Sequence, residues 1–163
     1  MTSNSSVRPA EIADISAIQR VAKKTWHAAH DDIVGADTVE EFVVDQYETE
    51  RVQECIVAPN REFCVVEPKS IVGFADAGPA DDRTYTLHRL YVHPDHWKDG
   101  HGSSLLAWTE SALRDRGITT LQLMVMADNE RAIEFYESQG FDRTGRNRDD
   151  RFDVESYVYA KEL

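Results

Sequence analysis

The chain has 163 residues, 41% of them apolar, and its 30 acids against 18 bases leave a net charge of −12. That length suits one domain with a core of its own, and that apolar share excludes a disordered chain. No run of about 18 apolar residues is present to span a membrane, and so acidic a chain lacks the basic footprint of a general nucleic-acid binder.

Val7 to Ala10 reads as a short first strand. From Glu11 to about His30, apolar residues at Ile12, Ile15, Ile18, Val21 and Ala22 recur at helical spacing. Thr38 to about Cys55 predicts a second helix, with Thr38 as N-cap and Glu41 completing a capping box. The period then changes. Glu62 to Glu67 and Ile71 to Ala77 flank the turn Pro68-Lys69-Ser70 and predict a hairpin. Thr84 to His93 is rich in β-formers and ends at Pro94. Ser103 to Arg116 predicts a helix closed by Gly117, and Thr119 to Met126 a strand. Asn129 to Gln139 predicts a helix capped by Asn129 and closed by Gly140. Phe141 to Arg146 and Val154 to Ala160 end the chain as two strands. The expected order is β-α-α-β-β-β-α-β-α-β-β: an α/β fold with helices on one mixed sheet. No linker or repeat divides it, so a single domain over 1–163 is expected.

Met1 to Ser6 shows no basic patch followed by an apolar stretch, so no secretory leader is expected. Cys55 and Cys64 form no Cys-x-x-Cys pair, so neither a disulfide scaffold nor a cysteine-rich zinc site is expected. A cytoplasmic location with no membrane partner follows as the expectation. Asp outnumbers Glu, 16 to 14, and Arg outnumbers Lys, 13 to 5. The excess of acid predicts adaptation to high salt, where ions screen the repulsion; an ordinary acidic protein is the alternative.

The stretch from Leu90 to Leu106 is the most informative: strand, Pro94, a polar loop with Gly100-His101-Gly102, then helix. Glycines at such a turn let backbone N–H groups approach a ligand, and a helix N-terminus suits phosphate oxygens. A plain glycine turn explains two glycines equally well. A Walker loop would need Lys after Gly102, where Ser103 stands, and a dinucleotide fingerprint would need a third glycine at Leu105. In the stretch Asn129 to Phe141, Tyr136 lies seven residues after Asn129, on the same helix face. His93, His96 and His101 match no common zinc spacing and no cysteine joins them, so a solvated surface cluster with no metal is expected.

Together these stretches resemble the GNAT superfamily, the acetyl-CoA-dependent N-acetyltransferases. That family carries Gln/Arg-x-x-Gly-x-Gly/Ala after its fourth strand, matched here by Trp97-Lys98-Asp99-Gly100-His101-Gly102. It also carries Asn…Tyr-Glu-x-x-Gly-Phe after its fifth, matched by Asn129 and by Tyr136-Glu137-Ser138-Gln139-Gly140-Phe141. The motifs span about a third of the chain, and the element order fits over nearly all of it.

The resemblance implies transfer of an acetyl group from acetyl-CoA, as co-substrate, to an amine. Leu90, Tyr91 and Val92 would offer backbone groups to the pantetheine arm, and Lys98, Asp99, Gly100, His101, Gly102 and Ser103 would wrap the pyrophosphate. Asn129 would bond the arm, and Tyr136 would protonate the departing thiolate. The departures are Trp97 for Gln/Arg and the acid Asp99, unfavourable beside a pyrophosphate unless it faces away. The family's catalytic glutamates are also missing, since Thr86, His88 and Met124 stand in those regions. His88 becomes the candidate general base, because imidazole titrates near neutrality; a plain strand side chain and deprotonation to bulk water stay open. Trp26, His30 and Tyr47 would line the acceptor pocket, and Asp31 and Asp32 would suit a cationic amine. The cysteines lie outside the motifs, so no covalent enzyme intermediate is expected. The acceptor, a small-molecule or peptide amine, is not readable from the sequence. Nor is the oligomeric state, although many relatives pair as homodimers through terminal strands. A non-catalytic acyl-CoA-binding domain on the same fold is the alternative.

Overall fold

The computed structural model describes residues 6–163; Met1 to Ser5, the part in which no leader was expected, lies outside the described residues. In chain order the elements are β1 (Val7–Pro9), α1 (Ile15–Val34), α2 (Ala36–Gln46), α3 (Thr49–Val57), β2 (Glu62–Val66), β3 (Gly73–Pro79) and β4 (Thr84–Val92). They continue as α4 (His101–Asp115), β5 (Thr120–Met126), α5 (Glu130–Ser138), β6 (Asp142–Asp149) and β7 (Val154–Glu162). The strands form one mixed sheet in the order β1-β2-β3-β4-β5-β7-β6. Among the described residues only β4 and β5 run parallel; every other pair is antiparallel. No helix among the described residues is long and apolar enough to cross a membrane.

Alternation along β2 assigns the two faces. Phe63 and Val65 join a layer with Ile18, Val21 and Trp26 of α1 and Val39 and Val43 of α2. Cys64 and Val66 join the opposite layer with Leu105, Leu106 and Leu113 of α4. At roughly 1.5–3 kcal/mol per fully buried aliphatic side chain, these two layers supply the main drive to fold.

The segment expected as one helix from Thr38 to Cys55 is two. It begins earlier, with Gly35 as N-cap, so Thr38 lies inside the first turn rather than capping it. It breaks after Gln46, and Glu48 is extended before α3. Donors from elsewhere in the fold take the terminal carbonyls: Arg89 donates to the Gln46 carbonyl at 3.2 Å and Gln19 to that of Tyr47 at 2.7 Å.

Strand β4 carries a bulge. Asp76 pairs with Arg89 and Ala77 with Leu87, leaving His88 as the extra residue. The bulge shifts side-chain parity by one. Tyr85 and Leu87 face the α4 layer before it, and Leu90 and Val92 after it, while Arg89 and Tyr91 turn toward α1 and α2.

Candidate functional site

Strands β4 and β5 pair only over Thr84–Thr86 and Thr120–Gln122 and then diverge. The gap opens a cleft of about 1210 Å³ through the sheet. Gly100, Gly102, Ser103, Phe135 and Tyr136 line it on the α4 and α5 side; Trp26, His30, Phe42 and Phe152 line it on the α1 and α2 side.

The β4 register fixes which backbone groups reach the cleft. Val92 pairs with Gly73, and the next N–H, of His93, donates to the Val72 carbonyl. Val92 and Leu90 are therefore non-hydrogen-bonded partners of β3, with N–H and C=O aimed away from it. Those groups face the gap. The Val92 carbonyl is occupied, accepting from Trp97 Nε1 at 2.7 Å and Thr25 Oγ1 at 3.1 Å, while its N–H stays turned to the cleft. Tyr91, grouped with them on sequence, lies in the ladder opposite Phe74 and gives the cleft its side chain instead.

The two loop glycines have separate reasons. Gly100 caps α4 in the left-handed region at φ 81°, where a side chain is strained. Gly102 packs against Phe135 of α5: a Cβ there would lie 3.2 Å from the ring. Lys98 is exposed and lines the cleft. Asp99 and His101 do not. They face the outer side of the loop with His96, beside a smaller hollow of about 370 Å³ that Pro68 and Lys69 also line. Asp99 thus faces away from the cleft, and His101, expected in a solvated cluster, is only 7% exposed.

Asn129 caps α5, accepting from the Ala132 N–H at 3.2 Å, and its amide nitrogen lies 3.5 Å from His30 Nε2. Burial pulls the His30 pKa down to about 4, so the ring is neutral near pH 7. Tyr136 is half-buried between Phe135 and Phe141, with ring centroids 5.2 and 5.6 Å away. Burial holds its phenol above the usual range. His88 is exposed on the bulge and lines the cleft; desolvation and the Arg61 cation lower its pKa.

Trp26 packs tilted against His30 and Phe42, with centroids 4.0 and 4.2 Å away. Tyr47, expected with them, instead sits in the core beside Phe74, under the Arg89 guanidinium. Asp31 also turns elsewhere, accepting from His27 at 2.7 Å.

Sequence reasoning missed two groups. Asp76, fully buried, binds Arg61 and Arg89 on the strand facing the bulge. Arg131 of α5 lays its guanidinium 3.5 Å over the Trp97 ring, and both line the cleft. Neither pairing is local in sequence, and only a lone acid on an apolar strand hinted at the first.

A family model described as the acetyltransferase (GNAT) family matches residues 23–141. The chain belongs to the GNAT acetyltransferase family. Among GNAT relatives, the spermidine N(1)-acetyltransferase of Thermoplasma acidophilum is 23% identical over 140 residues, covering 83% of this chain and 86% of that protein. The ribosomal protein bS18-alanine N-acetyltransferase of Escherichia coli is 45% identical over a shorter 56-residue stretch, 34% of this chain and 38% of that one. The crystal structure of PaiA N-acetyltransferase from Thermoplasma acidophilum, in complex with coenzyme A, superposes with a TM-score of 0.86 at 22% identity. That match covers 96% of this chain and 98% of the other. At that identity the likeness speaks for the GNAT fold.

Proposed function

We propose that the protein transfers the acetyl group of acetyl-CoA directly to a primary amine, with Tyr136 as general acid. The observation that carries this is the parted pair β4 and β5. The Val92 N–H faces the gap on one side and Tyr136 lines it on the other. Leu90 and Val92 would pair with the amides of the pantetheine arm as a further strand does. The Val92 N–H would donate to the thioester oxygen as negative charge develops there. The α4 N-terminus, with Gly100, Gly102 and Ser103, would take the pyrophosphate, and Lys98 would add a positive charge. The amine forms the new bond to the acetyl carbon; the carbon–sulfur bond breaks, and Tyr136 delivers its proton to the sulfur. The desolvation that keeps the phenol protonated also raises the basicity of a thiolate formed beside it. His88, neutral near pH 7, is the reading for the base that takes the amine proton, directly or through water.

The acceptor end favours an amine on an uncharged or anionic body, such as a peptide amino terminus, over a polyamine. Its acid, Asp149, already accepts from the backbone N–H groups of Arg151 and Phe152, and the Arg151 guanidinium lies 5.1 Å from the Phe42 ring. The test is thiol release from acetyl-CoA with a panel of spermidine, small amines and amino-terminal peptides. Turnover should fall about 100-fold or more in Tyr136→Phe while coenzyme A still binds. Binding without turnover in either form would make the protein an acyl-CoA-binding domain instead.

A further inference from the structure

The β4–α4 loop has an outer face that takes no part in the cleft, and three metal-ligating side chains meet there. We infer that His96, Asp99 and His101 form a site for one divalent transition-metal ion of the zinc class. One ligand atom from each lies within 4.8 Å of the other two. Asp99 Oδ2 is the shared centre, 3.2 Å from His96 Nδ1 and 4.0 Å from His101 Nε2. A tetrahedral ion with bonds of about 2.0–2.1 Å holds its ligand atoms roughly 3.4 Å apart. The cluster reaches that spacing through side-chain rotation at His96 and Asp99, which are 40% and 55% exposed.

His101 supplies the second observation. It is 7% exposed, and its Nδ1 is buried with no hydrogen-bond partner among the described residues. Its Nε2, aimed at Asp99 across 4.0 Å, is beyond hydrogen-bond reach. The packed ring thus presents Nε2 to the cluster with no hydrogen bond committing it, a ligand atom already aimed where the ion would sit. Two imidazoles and one carboxylate suit zinc, cobalt or nickel rather than calcium or magnesium. The adjacent hollow leaves room for water as the fourth ligand. The ligands bracket Gly100, so a bound ion would hold the loop's curvature and keep the Asp99 carboxylate on the outer face. Its role is structural: the site opens away from the cleft and holds no reacting group.

The test uses the untagged, chelator-stripped full chain, titrated with Zn²⁺ in competition with a chromophoric chelator. One equivalent should bind at micromolar affinity or tighter, and Co²⁺ in its place should give the visible bands of a tetrahedral site. His96→Ala and Asp99→Asn, neither of them buried and both expected to fold, should each weaken binding about tenfold or more. His93→Ala should not, because His93 Nδ1 accepts from the Asp95 N–H instead of joining the cluster. Zn²⁺ should raise the melting temperature of the wild type more than that of His96→Ala. Absence of saturable binding, or equal affinity in His96→Ala, overturns the site; dependence on His93 moves it elsewhere on the loop.

Discussion

Arg131 stands where the loop's own sequence is deficient. Trp97 occupies the position at which the family motif carries Gln or Arg, and Asp99 adds an acid two residues on. The guanidinium over the Trp97 ring returns a cation to the cleft side of the loop, held there by stacking and cation–π attraction. Trp97 is itself fixed by its bond to the Val92 carbonyl, so the pair ties the first turn of α5 to the end of β4. If this cation faces the phosphates of coenzyme A, Arg131→Ala should weaken coenzyme A about tenfold, near 1.4 kcal/mol, by titration calorimetry. Because Arg131 is exposed, the melting temperature of the free protein should barely move. An unchanged affinity would limit Arg131 to positioning Trp97.

His27 clamps the joint between α1 and α2. His27 of α1 bonds Asp31 at 2.7 Å and Glu40 of α2 at 2.9 Å. Glu40, then Asp31, raises the His27 pKa against the lowering effect of burial, and His27 lowers that of Glu40. A raised imidazole pKa adds stability in full below its ordinary value near 6.5, and that stability is lost as pH rises through the raised value. The carboxylate works in the opposite sense, losing its share as pH falls through the depressed value. The melting temperature of the wild type should therefore exceed that of His27→Ala most near pH ~6, by about 1–3 °C, and the gap should narrow toward pH ~9. A gap that widens with pH would contradict the clamp.

Other elements explain what was legible in the sequence. The helix from Asn129 and the left-handed Gly100 were readable because caps and left-handed turns are local chemistry, whereas the need for glycine at 102 comes from Phe135 of a distant helix. The β4 bulge left a trace in the spacing: Leu87 to Leu90 is three residues where a regular strand would give two. The α2–α3 break left none, since the donors that take its free carbonyls, Arg89 and Gln19, come from distant elements. The direction of Asp99 was likewise unreadable, because it depends on where His96 and His101 fold to meet it.

At the scale of the whole molecule, the charge of −12 has to be carried by a small surface. Many of the cations are already committed. Arg61 and Arg89 bind Asp76, Arg8 joins Asp14 and Glu67, Arg116 binds Glu62, and Lys161 binds Glu110. Most of these pairs are partly buried, so salt screens them weakly. The exposed acids left over repel one another across solvent, where the screening length falls from about 10 Å at 0.1 M to about 3 Å at 1 M. Salt therefore removes more repulsion than attraction, and the melting temperature should climb steadily from low to molar sodium chloride. The control is a variant with several exposed acids neutralised, for example Asp82→Asn with Asp115→Asn and Asp150→Asn; its melting curve should depend less on salt. A flat or falling wild-type curve would mean that the paired cations, rather than the surplus acids, dominate the field, and the excess of Asp and Glu would then carry no adaptation to salt.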